Sequence, residues 1–208
     1  MGTDLNLQLP IGAASAADGI HSVGRAGRTT EQVISQVHGQ YYEASSRGKI
    51  FMAQAIITAP VIWTTEAGTG GPLLWNSSAS VIGNILAVGW GISTVSTAGA
   101  AVGLTGGYAQ TADPTSTTAI DSQACLNGTS TTPTISAYRV GTTGTNRWFL
   151  PLGDLYTGAL TVDVGKVNWV RLDGLLSIPQ YSFVSFSASA TASTTVMNVA
   201  IIWEEVPV

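Results

Sequence analysis

Charge is what this sequence most lacks. Only 10% of its 208 residues are Asp, Glu, Lys or Arg, against ~25% in ordinary globular chains. The basic residues Arg25, Arg28, Arg47, Lys49, Arg139, Arg147, Lys166 and Arg171 are scattered, and the formal net charge is −4. A nucleic-acid binder neutralises phosphates with clustered Lys and Arg, so that class is excluded. Cysteine is nearly absent too. The single Cys125 permits neither an intramolecular disulfide nor a thiolate zinc cage. No apolar run reaches the ~18 residues of a membrane-spanning helix, and no charged-then-apolar start marks a signal peptide. The expectation is a chain made and assembled in a cytoplasm, with no membrane partner.

What is present is glycine, serine, threonine and alanine, together with 45% hydrophobic residues and six tryptophans. That apolar content argues for a packed core rather than disorder. A chain of this length buries roughly 70% of its unfolded surface and needs no metal or disulfide to fold. A sparsely charged exterior implies a surface covered by other subunits. A β protein simply coated with Thr and Ser is the competing explanation.

Residues 1–36 form an extended N-terminal arm in this reading, and residues 37–208 a β domain. The arm has no aromatic residue and no sustained period. Leu5, Leu7 and Leu9 alternate until Pro10, and Gly12, Gly19, Gly24 and Gly27 keep the rest of the arm loose. Such a segment is either a disordered tail or an arm that orders against a neighbouring subunit, anchored by Leu5, Leu7, Leu9, Ile11 and Ile20. Thr30 before Glu31 and Gln32 is a weak N-cap that predicts one helical turn over 30–37.

The β domain reads most clearly at its end. Val184, Phe186 and Ala188 alternate with Phe183, Ser185 and Ser187, and Met197, Val199, Ile201 and Trp203 share one face of the last strand. With Ile178-Pro179-Gln180 as a corner and Ala192–Thr195 as a reversal, the spacing predicts strands joined as antiparallel hairpins. Leu86, Val88, Trp90 and Ile92 share a face earlier on. In all, about eight to ten strands at roughly 10–15 residue spacing predict an all-β, antiparallel, jelly-roll-like sandwich.

Chemistry is hard to place. His21 sits in the arm and His38 at the domain entrance, and neither suggests a base held beside a nucleophile. Asp154, Asp163 and Asp173 fall near strand ends. They read as turn-capping residues before glycosidase carboxylates or calcium ligands. Gly103-Leu104-Thr105-Gly106-Gly107 lacks the Lys and helix start of a phosphate cradle. Trp63, Trp75, Trp90, Trp148, Trp169 and Trp203 read as core and interface residues before a sugar-binding groove. No catalytic residue, metal site or cofactor is expected.

Three short patterns occur in order: His38-Gly39-Gln40-Tyr41-Tyr42-Glu43-Ala44-Ser45-Ser46-Arg47-Gly48, then Leu74-Trp75-Asn76, then Ile178-Pro179 with Trp203-Glu204-Glu205-Val206-Pro207. Over residues 38–208 the chain resembles small structural proteins of tailed bacteriophages, in particular jelly-roll capsid decoration (cement) proteins. The resemblance implies a non-enzymatic virion protein on the capsid surface. It implies a homotrimer that binds the major capsid protein and stabilises the shell, with the arm stapling neighbours. A tail-associated receptor- or carbohydrate-binding module is the alternative. A β-sandwich lyase or glycosidase would need a cluster of carboxylate, His or Tyr side chains, which the sparse charge disfavours.

Overall fold

The computed structural model describes residues 25–26, 32–33, 41, 44–45, 47–58, 60, 62–63, 72–94, 100–108, 114–120, 122–124, 131–142, 145–155, 167–190 and 195–208. The chain divides into two units, Met1–Tyr42 and Glu43–Val208. In the first, β1 (Arg25–Ala26) pairs antiparallel with β2 (Gln32–Val33). This corrects the helical turn expected over 30–37. One weak cap does not offset the nucleation cost of an isolated turn.

The second unit opens on a single helical turn that Gly48 ends. Gly48 N donates to Ser45 O and Lys49 N to Ala44 O, both at 2.9 Å, which is the crossed pair of a Schellman cap. Gly48 holds φ at +64°, where a glycine avoids the steric penalty of a Cβ.

The remaining strands are β3 (Ile50–Thr58), β4 (Leu73–Asn76), β5 (Val81–Thr94), β6 (Ala100–Gly107), β7 (Thr115–Ala119), β8 (Ser122–Ala124), β9 (Ser136–Thr142), β10 (Trp148–Leu155), β11 (Val167–Ile178), β12 (Ser182–Ala188) and β13 (Val196–Pro207). They form a six-stranded sheet, β10-β6-β12-β4-β9-β7, and a five-stranded sheet, β11-β5-β13-β3-β8. The two antiparallel sheets pack together as an all-β sandwich. Leaving aside β7 to β9, the pairing is nested. β3 pairs with β13, β4 with β12, β5 with β11, and β6 with β10, all antiparallel. First-with-last pairing of this kind gives a jelly-roll-like order.

That order overturns the expected terminal hairpins. β11, β12 and β13 follow one another in sequence, yet β12 lies in the six-stranded sheet and its two neighbours in the other. The Pro179 corner is therefore an arch between sheets, and the reversal read at Ala192–Thr195 lies mostly outside the described residues. Alternation along a strand marks which residues face inward, but it does not say which strand lies alongside.

The core is built from alternate residues of both sheets: Phe51, Ala53, Ala55 and Ile57 of β3, Met197, Val199, Ile201 and Trp203 of β13, and Val184, Phe186 and Ala188 of β12. β12 departs from the half-buried expectation, because all seven of its residues are buried. Its other face carries Phe183, which clusters with Leu73 and Trp75 against Tyr138. The β5 face differs as well. Val88 and Trp90 point into the core as expected, but a register shift opposite Ile202/Trp203 makes Ile85, not Leu86, the partner of Trp203. A bulge of this kind moves the inward position by one residue.

Two buried polar side chains tie the corners. Asn76, with 0% exposure, donates from Nδ2 to Val81 O and Ile178 O, each at 2.9 Å, and its Oδ1 accepts from Ser78 N at 2.9 Å. Glu205 is 4% exposed. Its carboxylate accepts from Thr134 N at 3.0 Å and Ile135 N at 2.8 Å, with Trp203 Nε1 at 3.5 Å. Asn76 thus joins the β4–β5 turn to the end of β11, and Glu205 holds the entry to β9 against β13.

Replacing Asn76 by Asp turns both donors into an acceptor facing two carbonyls. Asn76→Asp is expected to cost about 3 kcal/mol or more, read as a lower midpoint in urea unfolding. Glu205→Gln puts one N–H against another. An expected loss of about 2 kcal/mol lowers Tm by roughly 5 °C for a domain of this size, and an unchanged calorimetric Tm would remove the clamp role.

Candidate functional site

The residues singled out from sequence do not converge on one place. Leu5, Leu7, Leu9, Ile11 and Ile20, with His21, His38, Cys125 and Asp163, lie outside the described residues. Asp154 is at the end of β10. Asp173 is exposed and ion-paired with Arg171, 3.2 Å away. It has φ +46° and precedes Gly174 at φ +86°, a left-handed pair that Asp-Gly adopts readily. Its role is conformational. Among the described residues no group of three metal-ligating side chains comes together, and no helix is long and apolar enough to cross a membrane.

The glycine-rich run lies in β6, buried. A Cβ on Gly103 would fall 2.0 Å from Leu150 O, so close strand packing is what this position needs. Of the tryptophans, Trp75, Trp90 and Trp203 are core residues. Trp63 stacks on Phe149, with centroids 5.9 Å apart and planes at 15°. Trp169 is different, since it is 49% exposed on the outside of the five-stranded sheet.

Around Trp169 the registers of four strands define one continuous outer face. One rung runs Val167, Gly91, Asn198, Ile56, the next Trp169, Gly89, Ala200, Gln54, and the third Arg171, Ala87, Ile202, Met52. Glycine and alanine occupy its centre, and Arg171 is the only ionisable residue on these three rungs. Small central residues leave room for the indole of Trp169 to lie over Gly89. A Cβ on Gly89 would sit 2.2 Å from the Trp169 ring. Val167 and Ile56 rank among the exposed large hydrophobic residues at 76% and 57%. The face has the chemistry of a binding surface, because apolar planes and small residues desolvate readily and few charges oppose it.

Sequence patterns mark Trp169 only as one of six tryptophans, and Gly83, Gly89 and Gly91 as glycines of close backbone approach or a bulge; they do not single out Ile56. The usable signal is the apolar Val167 and Trp169 in a strand whose intervening Asn168 and Val170 face the other way. That Trp169 is the group lying over Gly89 has no local sequence signature.

No protein-family model, curated protein or solved structure matches the chain.

Gly89→Ala is expected to force the indole off the sheet. In a Trp169→Phe difference experiment, Trp169 emission should shift to the red and become more accessible to acrylamide, while stability falls by about 1 kcal/mol. An unaltered Trp169 spectrum would mean that the ring does not rest on Gly89.

Proposed function

We propose that this chain is a structural protein of a tailed-bacteriophage virion, a capsid decoration (cement) protein that binds the outer head surface as a homotrimer and stabilises the shell. The observation that carries the reading is the apolar outer face around Trp169, set on a jelly-roll-like body and joined to the ordered phage-like sequence patterns. A shell-binding protein needs a rigid body and an apolar surface, and three weak contacts per trimer add into avidity. The major capsid protein is the partner in this reading. The arm, with Leu5, Leu7, Leu9, Ile11 and Ile20, would reach a neighbouring capsid protein or trimer.

A tail-associated receptor- or carbohydrate-binding module is the second reading. The half-exposed plane of Trp169 favours it, since sugar rings stack on open aromatic faces. The patterns that resemble phage proteins suit either location.

Immunogold electron microscopy of purified virions, with antibody against the whole chain, separates the two. Gold spread regularly over the heads is expected, together with heads that lose heat tolerance when the protein is absent. Gold confined to the tail tip would transfer the function to receptor binding, and unlabelled intact particles would remove both readings.

A further inference from the structure

The turn between β11 and β12 carries a residue that its backbone does not favour. It runs through Pro179, Gln180, Tyr181 and Ser182, with Ser182 N donating to Pro179 O at 3.2 Å. Tyr181, the third of the four, holds φ at +57°. That position asks for Gly or Asn, and a bulky side chain there is an outlier. Core packing does not explain the choice, since Tyr181 is 37% exposed and belongs to neither buried cluster. Its N–H donates to Asn76 O at 2.7 Å, a bond that any residue but proline supplies. A ring kept at a backbone cost and not used by the core points to a contact outside the chain.

Two more exposed side chains share that end of the sheet. Phe183 pairs with Gly107 and Trp148 with Gly106. Tyr181, Tyr108 and Arg147 therefore mark the same end of three adjacent strands, β12, β6 and β10. Tyr108 is 62% exposed. The guanidinium carbon of Arg147 lies 6.0 Å from the centroid of the Tyr108 ring, within reach of a cation–π contact. Among the described residues no carboxylate pairs with Arg147, so its planar fork of N–H donors is open to an anion.

We propose that Arg147, Tyr108 and Tyr181 form a binding site for an acidic sugar, with the sugar's carboxylate on the Arg147 guanidinium and its rings against the two tyrosines. Arginine reads a carboxylate through two parallel N–H bonds. Tyrosine offers an apolar face with a polar tip, which suits a ring carrying both C–H faces and hydroxyls. Size separates a sugar from a protein partner. Two strand spacings of ~4.8 Å put about 10 Å between β10 and β12, the length of a disaccharide, whereas a standard protein interface takes about 800 Å² from each side. A single cation also suits one carboxylate better than the row of phosphates on a nucleic acid. The site belongs to the six-stranded sheet and Trp169 to the other, so it is distinct from the face proposed to meet the shell. It stands whether the chain sits on a head or a tail.

Saturation-transfer NMR on the full chain tests this, with sialyllactose and tri-galacturonate as acidic probes and lactose and maltotriose as their neutral counterparts. At least one acidic probe should bind with a Kd of about 1 mM, and its neutral counterpart about tenfold more weakly. Which of the two binds separates a sialic acid from a uronic acid. Arg147→Ala should weaken binding about tenfold, and Arg147→Lys, which keeps the charge but not the fork, should recover only part of it. Tyr181→Gly relieves the backbone, so it should weaken binding without lowering the thermal midpoint. A tyrosine that serves only the fold would do the reverse. Trp169→Ala should leave binding unchanged. The proposal is overturned if neither acidic probe binds, if the neutral sugars bind as well, or if Arg147→Ala binds like the wild type. It also falls if Tyr181→Gly melts lower with binding intact, or if Trp169→Ala abolishes the signal.

Discussion

β13 is hydrogen-bonded along both edges, to β3 on one side and β5 on the other. The rest of the sandwich depends on that closure. Its inward residues Met197, Val199, Ile201 and Trp203 fill the middle of the core, and Glu205 on the same strand anchors the entry to β9. Nested pairing places β3 beside β13, so the sheet is incomplete until β13 has folded in. Contacts of such large sequence separation carry the loop-closure cost early in folding. A fully apolar inner face and a buried carboxylate with backbone donors are what offset it.

The short patterns that gave the resemblance find structural explanations in the described residues. Gly48 closes a helical turn before β3. Asn76 bridges two corners. Trp203 fills the core and Glu205 holds a loop. Gly48 and Asn76 stand where the chain changes direction, Trp203 and Glu205 within β13, and each needs a particular residue type for a geometric reason. Patterns of this sort mark a way of building a sandwich. They say little about chemistry, which is why function has to be argued from the surface.

That surface is small-residued at its centre and nearly uncharged on the outside of the five-stranded sheet. Glycine at 89 and 91 and alanine at 87 and 200 keep the centre low, and Trp169 lies across it. At the sheet's edge the bulge in β11 changes the character of the face. It ends the regular ladder, raises Leu175 and sets Arg171 beside Asp173. The same strand thus supplies both an apolar plane and a polarised edge.

Amino-acid order alone sets the all-β class, the strand positions near the C-terminus, and the inward set of β13. These follow from a period of two, which every residue on a pleated strand reports locally. It does not set the role of Asp173, which lies in the bulge within β11 and not at a strand end. Which strands pair is settled only in three dimensions, because alternation carries no information about neighbours. Tertiary packing therefore makes Pro179 an arch between sheets, buries β12 on both faces, and sets Ile85, not Leu86, opposite Trp203. The outward face around Trp169 belongs to the same category. Val167, Gly89, Ala200 and Ile56 are brought together only by the registers of four strands, from positions far apart in the chain, and no local pattern of residues encodes that meeting.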